Sequence, residues 1–503
     1  MLVSLAAVLA TTACSPTGGT VSESSASAVE IATDEGPFDL VITGGRVIDP
    51  ETELDDIRQV GIRDGRVVAV TEAPLVGDVE LEATGLVVAP GFIDLHAHGQ
   101  DPVSNGYQAR DGVTTALELE IGGYPVDRWY AEREGGSLIN YGVSVSHQGA
   151  RGRAMGSTFA QRNGEGTFTL GAAGDDTLYR AASDDELQSM TELIQEGLDE
   201  GGLGIGVGLS YTPGASHTEL LQLFDVAAAR GVPVFIHLRS SAEFRRGGAV
   251  AAFQEVIANA AATGAAVHIV HMNSSAGSAA ETALGLVRGA RARGLDVTTE
   301  AYPYTASASM IESALFDSWV GRPADDYAAL QWVETGERLT PASFAEYRRR
   351  GGWVITHGRS EVTNEWVVSQ PDVIAASDGI PFSEGRAHPR GAGTFARVLG
   401  FYARDRQALS LMDAVRKMTL LPAQRLETAV PGMARKGRVS VGADADLTIF
   451  DSELVIDRAT YEAPDRYSDG IVHVLVGGTF VVRDSTLVDG VSPGHAIRRD
   501  VAR

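Results

Sequence analysis

The chain has 503 residues, of which 44% are hydrophobic and 21% charged, a composition typical of a globular protein with one large domain and room for a smaller one. Its formal net charge of −25 argues against nucleic acid or an anionic membrane surface as a partner, because like charges repel. The single cysteine, Cys14, excludes an intrachain disulfide and a CxxC metal site.

The first 14 residues resemble a secretion signal. The apolar run 2–9 is followed by small residues and then Cys14, as in bacterial lipoprotein signals, whose cysteine becomes the lipidated first residue of the mature chain. An ordinary cleaved signal is the alternative. We therefore expect an exported protein, either periplasmic or anchored to the membrane by a lipid on Cys14. Residues 15–37, rich in Ser, Thr, Ala and Glu, are predicted to form a flexible tether.

Both ends of the remaining chain are predicted to build one small β-sandwich domain, from residues 38–89 and 437–503. Residues 39–49 have the pattern of a strand, a Gly-Gly turn and a second strand, and a similar pattern returns at residues 474–483. The simplest organisation is therefore a β-domain shared by the two ends, with residues 90–436 inserted as an α/β domain.

The inserted domain alternates short apolar strands with amphipathic helices. The candidate strands span residues 91–95, 114–120, 140–146, 204–210, 234–236, 266–270, 297–301 and 373–377. The clearest helix patterns span residues 185–200, 219–230, 250–262 and 279–293. Parallel strands with crossover helices in this number predict a closed (β/α)8 TIM barrel, an α/β fold. The apolar run 353–356 has no place in this count, and the glycine-rich residues 149–183 are predicted to form a loop over the active-site face.

Five polar residues stand at predicted strand ends. His96 and His98 follow the first strand, and residues i and i+2 of a strand point to the same side, so both imidazoles can face one metal ion. His237 and His271 end the fifth and sixth strands, and Asp378 follows the eighth. Because the chemistry of such barrels takes place at the carboxyl ends of the strands, these five residues predict a metal-dependent active site.

The segment Gly91-Phe-Ile-Asp-Leu-His-Ala-His98 and the split β-domain resemble the amidohydrolase superfamily, and within it the D-aminoacylases, which are N-acyl-D-amino-acid deacylases. Further similar segments are residues 112–115, 209–214, 237–239, 302–307 and 377–400. The resemblance begins near Phe38 and is most specific over residues 377–451. It implies a hydrolase of N-acyl amino acids that uses one or two divalent metal ions, most often zinc.

The chain departs from the bridging ligands that these enzymes usually have. D-aminoacylases carry a metal-binding cysteine at the end of the second strand, whereas Cys14 is the only cysteine here. Other amidohydrolases join two metals through a carbamylated lysine, but neither Lys417 nor Lys436 lies on a predicted barrel strand. A different side chain must therefore hold the two ions together.

Glu118 and Glu120 on the second strand share one face and precede the turn Gly122-Gly123. The two oxygens of a carboxylate can bind two cations about 3.5–4 Å apart, and buried carboxylates without a partner are costly. Only the residue nearer the carboxyl end of the strand can reach the histidines, so Glu120 is the predicted bridge, and Glu118 is predicted to accept a hydrogen bond from a ligand histidine. The reverse assignment stays open.

Substrate recognition is predicted to depend on local arginines, because the net charge of the protein repels anions. D-aminoacylases commonly have His-x-Lys where this chain has Asn273 in place of the lysine. Arg390, whose planar guanidinium suits a carboxylate, is the first candidate for this role. Arg239, Tyr211 and Tyr304 are the others.

The remaining histidines are assigned by their positions. His268 lies an odd number of residues before His271 and is predicted to pack away from the site. His147 is expected to line the pocket or to hydrogen-bond a metal ligand, and His357 and His388 are candidates for substrate contacts.

These residues predict amide hydrolysis by a metal-bound hydroxide, with Asp378 as a metal ligand and as the general acid and base. N-acyl-D-amino acids, which are small molecules, are the leading substrates. Because fold and metals do not fix the substrate, hydrolysis of cyclic amides, as in hydantoinases and dihydroorotases, or of dipeptides is the alternative. A surface protein that binds its ligand without catalysis is a more remote one.

Overall fold

The computed structural model describes residues 37–157, 175–241 and 248–500. The predicted signal segment with Cys14, and all of the predicted tether before Pro37, lie outside these residues, as do residues 158–174 of the predicted loop 149–183. In the part of the chain that is described, no helix is both long enough and apolar enough to span a membrane.

The described residues form twenty strands in three sheets. In chain order the strands are β1 (Phe38–Asp49), β2 (Leu54–Arg63), β3 (Arg66–Thr71), β4 (Gly77–Glu82), β5 (Val87–Pro90), β6 (Phe92–Asp94), β7 (Val113–Gly123), β8 (Asn140–Ser146), β9 (Ile205–Gly208), β10 (Val234–His237), β11 (Val267–Ile269), β12 (Val297–Ala301), β13 (Ser307–Met310), β14 (Leu330–Trp332), β15 (Trp353–Thr356), β16 (Ile374–Ala375), β17 (Leu447–Phe450), β18 (Ile471–Val476), β19 (Thr479–Arg483) and β20 (Thr486–Leu487).

The helices of the described residues lie mainly between the strands of the second sheet. They are α1 (Pro102–Arg110), α2 (Val126–Ala131), α3 (His147–Ala154), α4 (Asp176–Tyr179), α5 (Asp184–Asp199), α6 (His217–Arg230), α7 (Gly248–Thr263), α8 (Met272–Ala276), α9 (Ala280–Arg291), α10 (Pro341–Arg350), α11 (Glu361–Val368), α12 (Arg390–Arg397), α13 (Leu411–Met418) and α14 (Leu420–Leu426). The local sequence determines where several helices begin. Helix α5, for example, begins at a capping box in which the side chains of Ser183 and Glu186 each accept a hydrogen bond from the other residue's backbone N–H.

The second sheet is the predicted barrel. Its strands are parallel and follow the order β16-β12-β11-β10-β9-β8-β7-β6. The two ends of the sheet meet, because Ala97 pairs with Gly379 and the Asp378 N–H donates to the His96 carbonyl at 2.7 Å. Strands such as β10 are buried on both faces, which explains their nearly continuous apolar sequence. The predicted (β/α)8 barrel is thus confirmed.

The first sheet is the small β-domain, and it takes strands from both parts of the chain. Its order is β20-β19-β18-β17-β5-β1-β2-β3, with β4 also paired to β1. A bulge between Ile42 and Gly45 lets β1 pair with β4 along its first half and with β5 along its second. Strand β17 joins β5 through Leu447 opposite Pro90, so both chain ends share one sheet. Residues 494–497, which the prediction assigns to this domain, lie against the barrel, where Ile497 and His495 bond to Tyr141.

The apolar run that had no place in the strand count is β15. It is the middle strand of a three-stranded antiparallel sheet with β13 and β14, inserted after β12. This insertion has its own core, which includes Ile311, Phe316 and Trp332. Residues of the insertion, among them Ala308, Trp353 and Thr356, line the cavity at the carboxyl end of the barrel. The insertion therefore covers the site.

Candidate active site

The first group of site residues follows strands β6 and β16. His96 and His98 lie with their Nε2 atoms 3.2 Å apart. Oδ1 of Asp378 is 3.4 Å from each of these two nitrogens. The three side chains are buried and close enough to share one metal ion.

The second group consists of Glu120, His237 and His271. Oε1 of Glu120 lies 2.7 Å from Nδ1 of His237 and 3.1 Å from Nε2 of His271. The other oxygen, Oε2, lies 3.1 Å from Nε2 of His96 and 3.4 Å from Nε2 of His98. One carboxylate thus faces both groups of histidines, one oxygen to each.

The Nδ1 atoms of His96 and His98, which point away from the centre, have carboxylate partners. Nδ1 of His96 lies 2.6 Å from Oε1 of Glu300, and Nδ1 of His98 lies 2.7 Å from Oε2 of Glu118. Because an ionised carboxylate can only accept, each Nδ1 carries a proton, and the lone pair of each Nε2 is left to bind a cation, which is a proton in the metal-free site or a metal ion. These lone pairs face each other and further carboxylate oxygens. Such a donor set needs a cation between its members and therefore fits a divalent metal.

The electrostatics of the site also favour a cation. Burial opposes protonation of His96, but Asp378, Glu120 and Glu300 outweigh it and raise the pKa of this imidazole well above its ordinary value. The pKa of His98 is raised in the same way, chiefly by Glu118. The pocket therefore carries an excess of negative charge, which a bound metal would neutralise.

Two of the site residues have left-handed backbone conformations, with φ of 33° at His271 and 53° at Asp378. Residues other than glycine adopt this region at a cost of about 1–3 kcal/mol, and they do so mostly where the surrounding structure fixes a functional side chain. Asp378 is held at the barrel seam by its hydrogen bond to His96.

Arg390 lies beside Asp378, and its predicted role in binding the substrate stays a prediction. Its Nη1 is 2.8 Å from Oδ2 of Asp378, and its guanidinium lies over the ring of Tyr302, 4.7 Å from the centroid. The side chain is completely buried at the start of α12. Burial alone would raise the pKa of Asp378, but Arg390 and the neighbouring imidazoles lower it below its usual range.

Of the other three substrate-binding candidates, only Tyr211 lines the cavity. Its hydroxyl lies 3.3 Å from that of Ser309, and its ring lies 4.9 Å from that of His237. Arg239 is not at the cavity, because Glu255 and the Ala215 carbonyl hold its guanidinium.

Tyr304 is also directed elsewhere, since it donates to Oδ2 of Asp457 at 3.0 Å. The predictions of a substrate contact for Arg239 and Tyr304 are therefore wrong in this structure. Their partners are distant in sequence, and no local pattern indicates them.

His268 is a second correction. It does not pack away from the site, because its Nε2 lies 3.0 Å from Oε2 of Glu300, the partner of His96. The alternation of side chains along a strand does not extend from His268 to His271, because β11 ends at Ile269 and the backbone of His271 is left-handed. Glu300 itself was not singled out, although an acidic residue within an apolar barrel strand is the signal that could have found it.

The remaining histidines have structural partners. His147 contacts Glu219 at 2.8 Å and not a metal ligand, so its prediction is wrong. His388 accepts the N–H of Arg390 at 3.1 Å and thus supports the first turn of α12. His357 contacts Oε1 of Gln331 at 2.8 Å.

Comparison with known proteins agrees with this geometry. Residues 160–482 match the model of the amidohydrolase family. An N-acyl-D-glutamate deacylase from Alcaligenes xylosoxydans xylosoxydans is 33% identical, over 92% of this chain and 97% of the relative. A D-aminoacylase from the same organism is 31% identical, over 93% of this chain and 99% of the relative.

Solved structures give the same result. The N-acyl-D-glutamate deacylase from Bordetella bronchiseptica, complexed with zinc and a phosphonate mimic of the tetrahedral intermediate, has a TM-score of 0.77 at 27% identity, over 92% of this chain and all of that chain. A dihydropyrimidinase from Brevibacillus agri, 18% identical over 92% of this chain and 99% of its own, shares the fold with a TM-score of 0.62. The predicted resemblance is confirmed, and the chain belongs to the amidohydrolase family.

Proposed function

We propose that the protein hydrolyses N-acyl-D-amino acids with zinc bound at the two histidine groups. The observation that carries the proposal is the position of Glu120, whose two oxygens face His96 and His98 on one side and His237 and His271 on the other. The relatives that match over nine-tenths of the chain are deacylases of N-acyl-D-amino acids by name, which supports this substrate class.

The residues that would hold the metal are the members of the two groups. His96, His98 and Asp378 would bind one ion, His237 and His271 the other, and Glu120 would be shared. Bound zinc supplies Lewis acidity, which polarises an acyl carbonyl and lowers the pKa of a water molecule to about 7.

Asp378 is placed to move the proton. Because its pKa is lowered, chiefly by Arg390 against the opposing effect of burial, the carboxylate is ionised at neutral pH. It can therefore accept a proton from the attacking water and donate it to the leaving amine, the two steps that amide hydrolysis requires.

Arg390 and Tyr211 are placed to bind the substrate. Nη1 of the buried Arg390 guanidinium faces Asp378, and the remaining N–H donors of its planar group would bind the α-carboxylate. Burial and the nearby Glu120 raise the pKa of Tyr211 well above its ordinary value, so its hydroxyl stays protonated and can donate a hydrogen bond to an oxygen of the substrate.

The proposal is tested by a substrate panel with the purified protein, assayed with and without zinc. N-acetyl-D-amino acids, their L-enantiomers, a dipeptide and a hydantoin are compared by release of free amine or by ring opening. We expect turnover of N-acetyl-D-amino acids that chelation abolishes and added zinc restores. Hydrolysis of the hydantoin alone, or activity that survives complete metal removal, would contradict the proposal.

A further inference from the structure

A row of polar side chains crosses the apolar interior of the barrel beneath His96. Glu300 lies between His96 and His268, at 2.6 Å from Nδ1 of His96 and 3.0 Å from Nε2 of His268. Nδ1 of His268 lies 2.8 Å from the hydroxyl of Thr298. That hydroxyl is 3.3 Å from Nη1 of Arg425. We call these four residues, Glu300, His268, Thr298 and Arg425, the relay.

The far end of the relay is fixed at the amino-terminal end of the barrel. Two nitrogens of Arg425 donate to the two oxygens of Asp296, at 2.6 and 2.8 Å, immediately before β12 begins. Asp296 is half exposed, whereas Glu300, His268 and Arg425 are buried and Thr298 is partly buried. The row thus connects the surface at one end of the barrel with the metal-ligand candidates at the other.

The directions of the hydrogen bonds in the relay follow from its two ends, because the ionised carboxylate of Glu300 can only accept and Arg425 can only donate. Since Nε2 of His268 donates to Glu300, Nδ1 of the neutral ring has no proton and accepts from the Thr298 hydroxyl, whose oxygen accepts from Arg425. Burial lowers the pKa of His268 although Glu300 opposes this, so the ring is neutral and its one proton lies on Nε2. This proton is donated to Oε2 of Glu300, and Oε1 of Glu300 accepts the proton on Nδ1 of His96.

We propose that the relay fixes His96 in the tautomer that presents its Nε2 lone pair to the metal, and that Thr298, His268 and Arg425 are positioning residues of the metal centre. This inference rests on the metal centre of the proposed function. The relay is not a path for protons, since the guanidinium of Arg425 does not lose its own.

Packing alone does not explain why these polar groups are buried. A carboxylate and an imidazole are costly in an apolar interior, and apolar side chains would fill the same volume at a lower cost. The ring of Phe235, 5.6 Å from that of His268, shows that the surroundings are apolar. Hydrogen-bond partners behind a metal-binding histidine typically change metal affinity by about 10–100-fold when they are removed.

The test compares Thr298→Val, which keeps the shape of the side chain but removes the hydroxyl, with Thr298→Ser, which keeps the hydroxyl. Zinc affinity of the metal-free, full-length protein is measured by competition with a chromogenic chelator, and thermal unfolding of each apo variant shows that it is folded. We expect Thr298→Val to weaken zinc binding about two- to tenfold, the usual worth of one hydrogen bond, and Thr298→Ser to bind like the wild type.

A second pair of variants keeps the test informative if Thr298→Val does not fold. With Thr298 unchanged, the amide of the glutamine in His268→Gln can still donate to Glu300, whereas His268→Leu cannot, so His268→Leu should weaken zinc binding and His268→Gln should not. Equal zinc affinity of these two folded variants would overturn the relay. Equal affinity of wild type, Thr298→Val and Thr298→Ser, or an equal loss in both threonine variants, would overturn the relay. A wild-type protein that binds no zinc would instead overturn the proposed function.

Discussion

The replacement of Glu120 by glutamine is the perturbation for which the structure makes its strongest prediction. Glu120→Gln keeps the size of the side chain but removes the charge that both histidine groups share. Its oxygens lie 2.7–3.4 Å from four imidazole nitrogens, so no other single residue of the described site contacts both groups as closely. Loss of this charge should therefore weaken binding at both metal positions.

The size of the effect follows from the Coulomb energy. One pair of unit charges 4 Å apart contributes about 4 kcal/mol at an effective dielectric constant near 20, which corresponds to roughly a thousandfold in affinity. Glu118→Gln is the matched control, since Glu118 is also buried on β7 but among the metal-ligand candidates contacts only His98, at 2.7 Å from its Nδ1. Its replacement should cost about 10–100-fold.

Zinc affinity of the two variants is measured by chelator competition, and bound metal per chain by atomic emission. We expect Glu120→Gln to lose most bound metal and activity, and Glu118→Gln to retain metal at saturating zinc. If Glu118→Gln lost more affinity than Glu120→Gln, or if Glu120→Gln stayed within tenfold of the wild type, the assignment of the shared ligand would be refuted.

Three further predictions concern proton transfer, substrate binding and export. Asp378→Asn should lower kcat by about 10²–10⁴-fold while His237 and His271 still bind metal, and a loss below about tenfold in steady-state assays would point to another base. Arg390→Lys should raise KM roughly ten- to hundredfold, because a point charge cannot replace a paired donor, whereas an unchanged KM would exclude Arg390 from the carboxylate site. Cys14→Ser should abolish incorporation of labelled palmitate and release the protein from membranes; labelling that persists would exclude the lipid anchor.

The sequence was sufficient for the barrel and for the residues around its centre because both depend on regular geometry. Alternation along a strand orients His96 and His98 together, and the carboxyl ends of parallel strands bring His237 and His271 to the same place. The structure brings these four residues together with Glu120 and Asp378. Such a prediction does not require knowledge of which residues distant in sequence come into contact.

The sequence was not sufficient to place a side chain where the backbone is irregular or where the hydrogen-bond partner is distant along the chain. His268 was misplaced because β11 ends one residue after it, at Ile269, and the left-handed His271 shifts the alternation. Arg239 contacts Glu255, 16 residues away, and Tyr304 contacts Asp457, 153 residues away, and both partners become neighbours only in the folded protein.

Anomalous diffraction at the zinc absorption edge, from crystals of the zinc-loaded protein, would show whether Glu120 joins two metal positions. We expect zinc peaks on both sides of the Glu120 carboxylate, one beside His96 and His98 and the other beside His237 and His271. If only one position is filled, its zinc must still be bound by Glu120. Zinc bound by Glu118 with Glu120 turned away, or zinc away from these histidines, would contradict the claim.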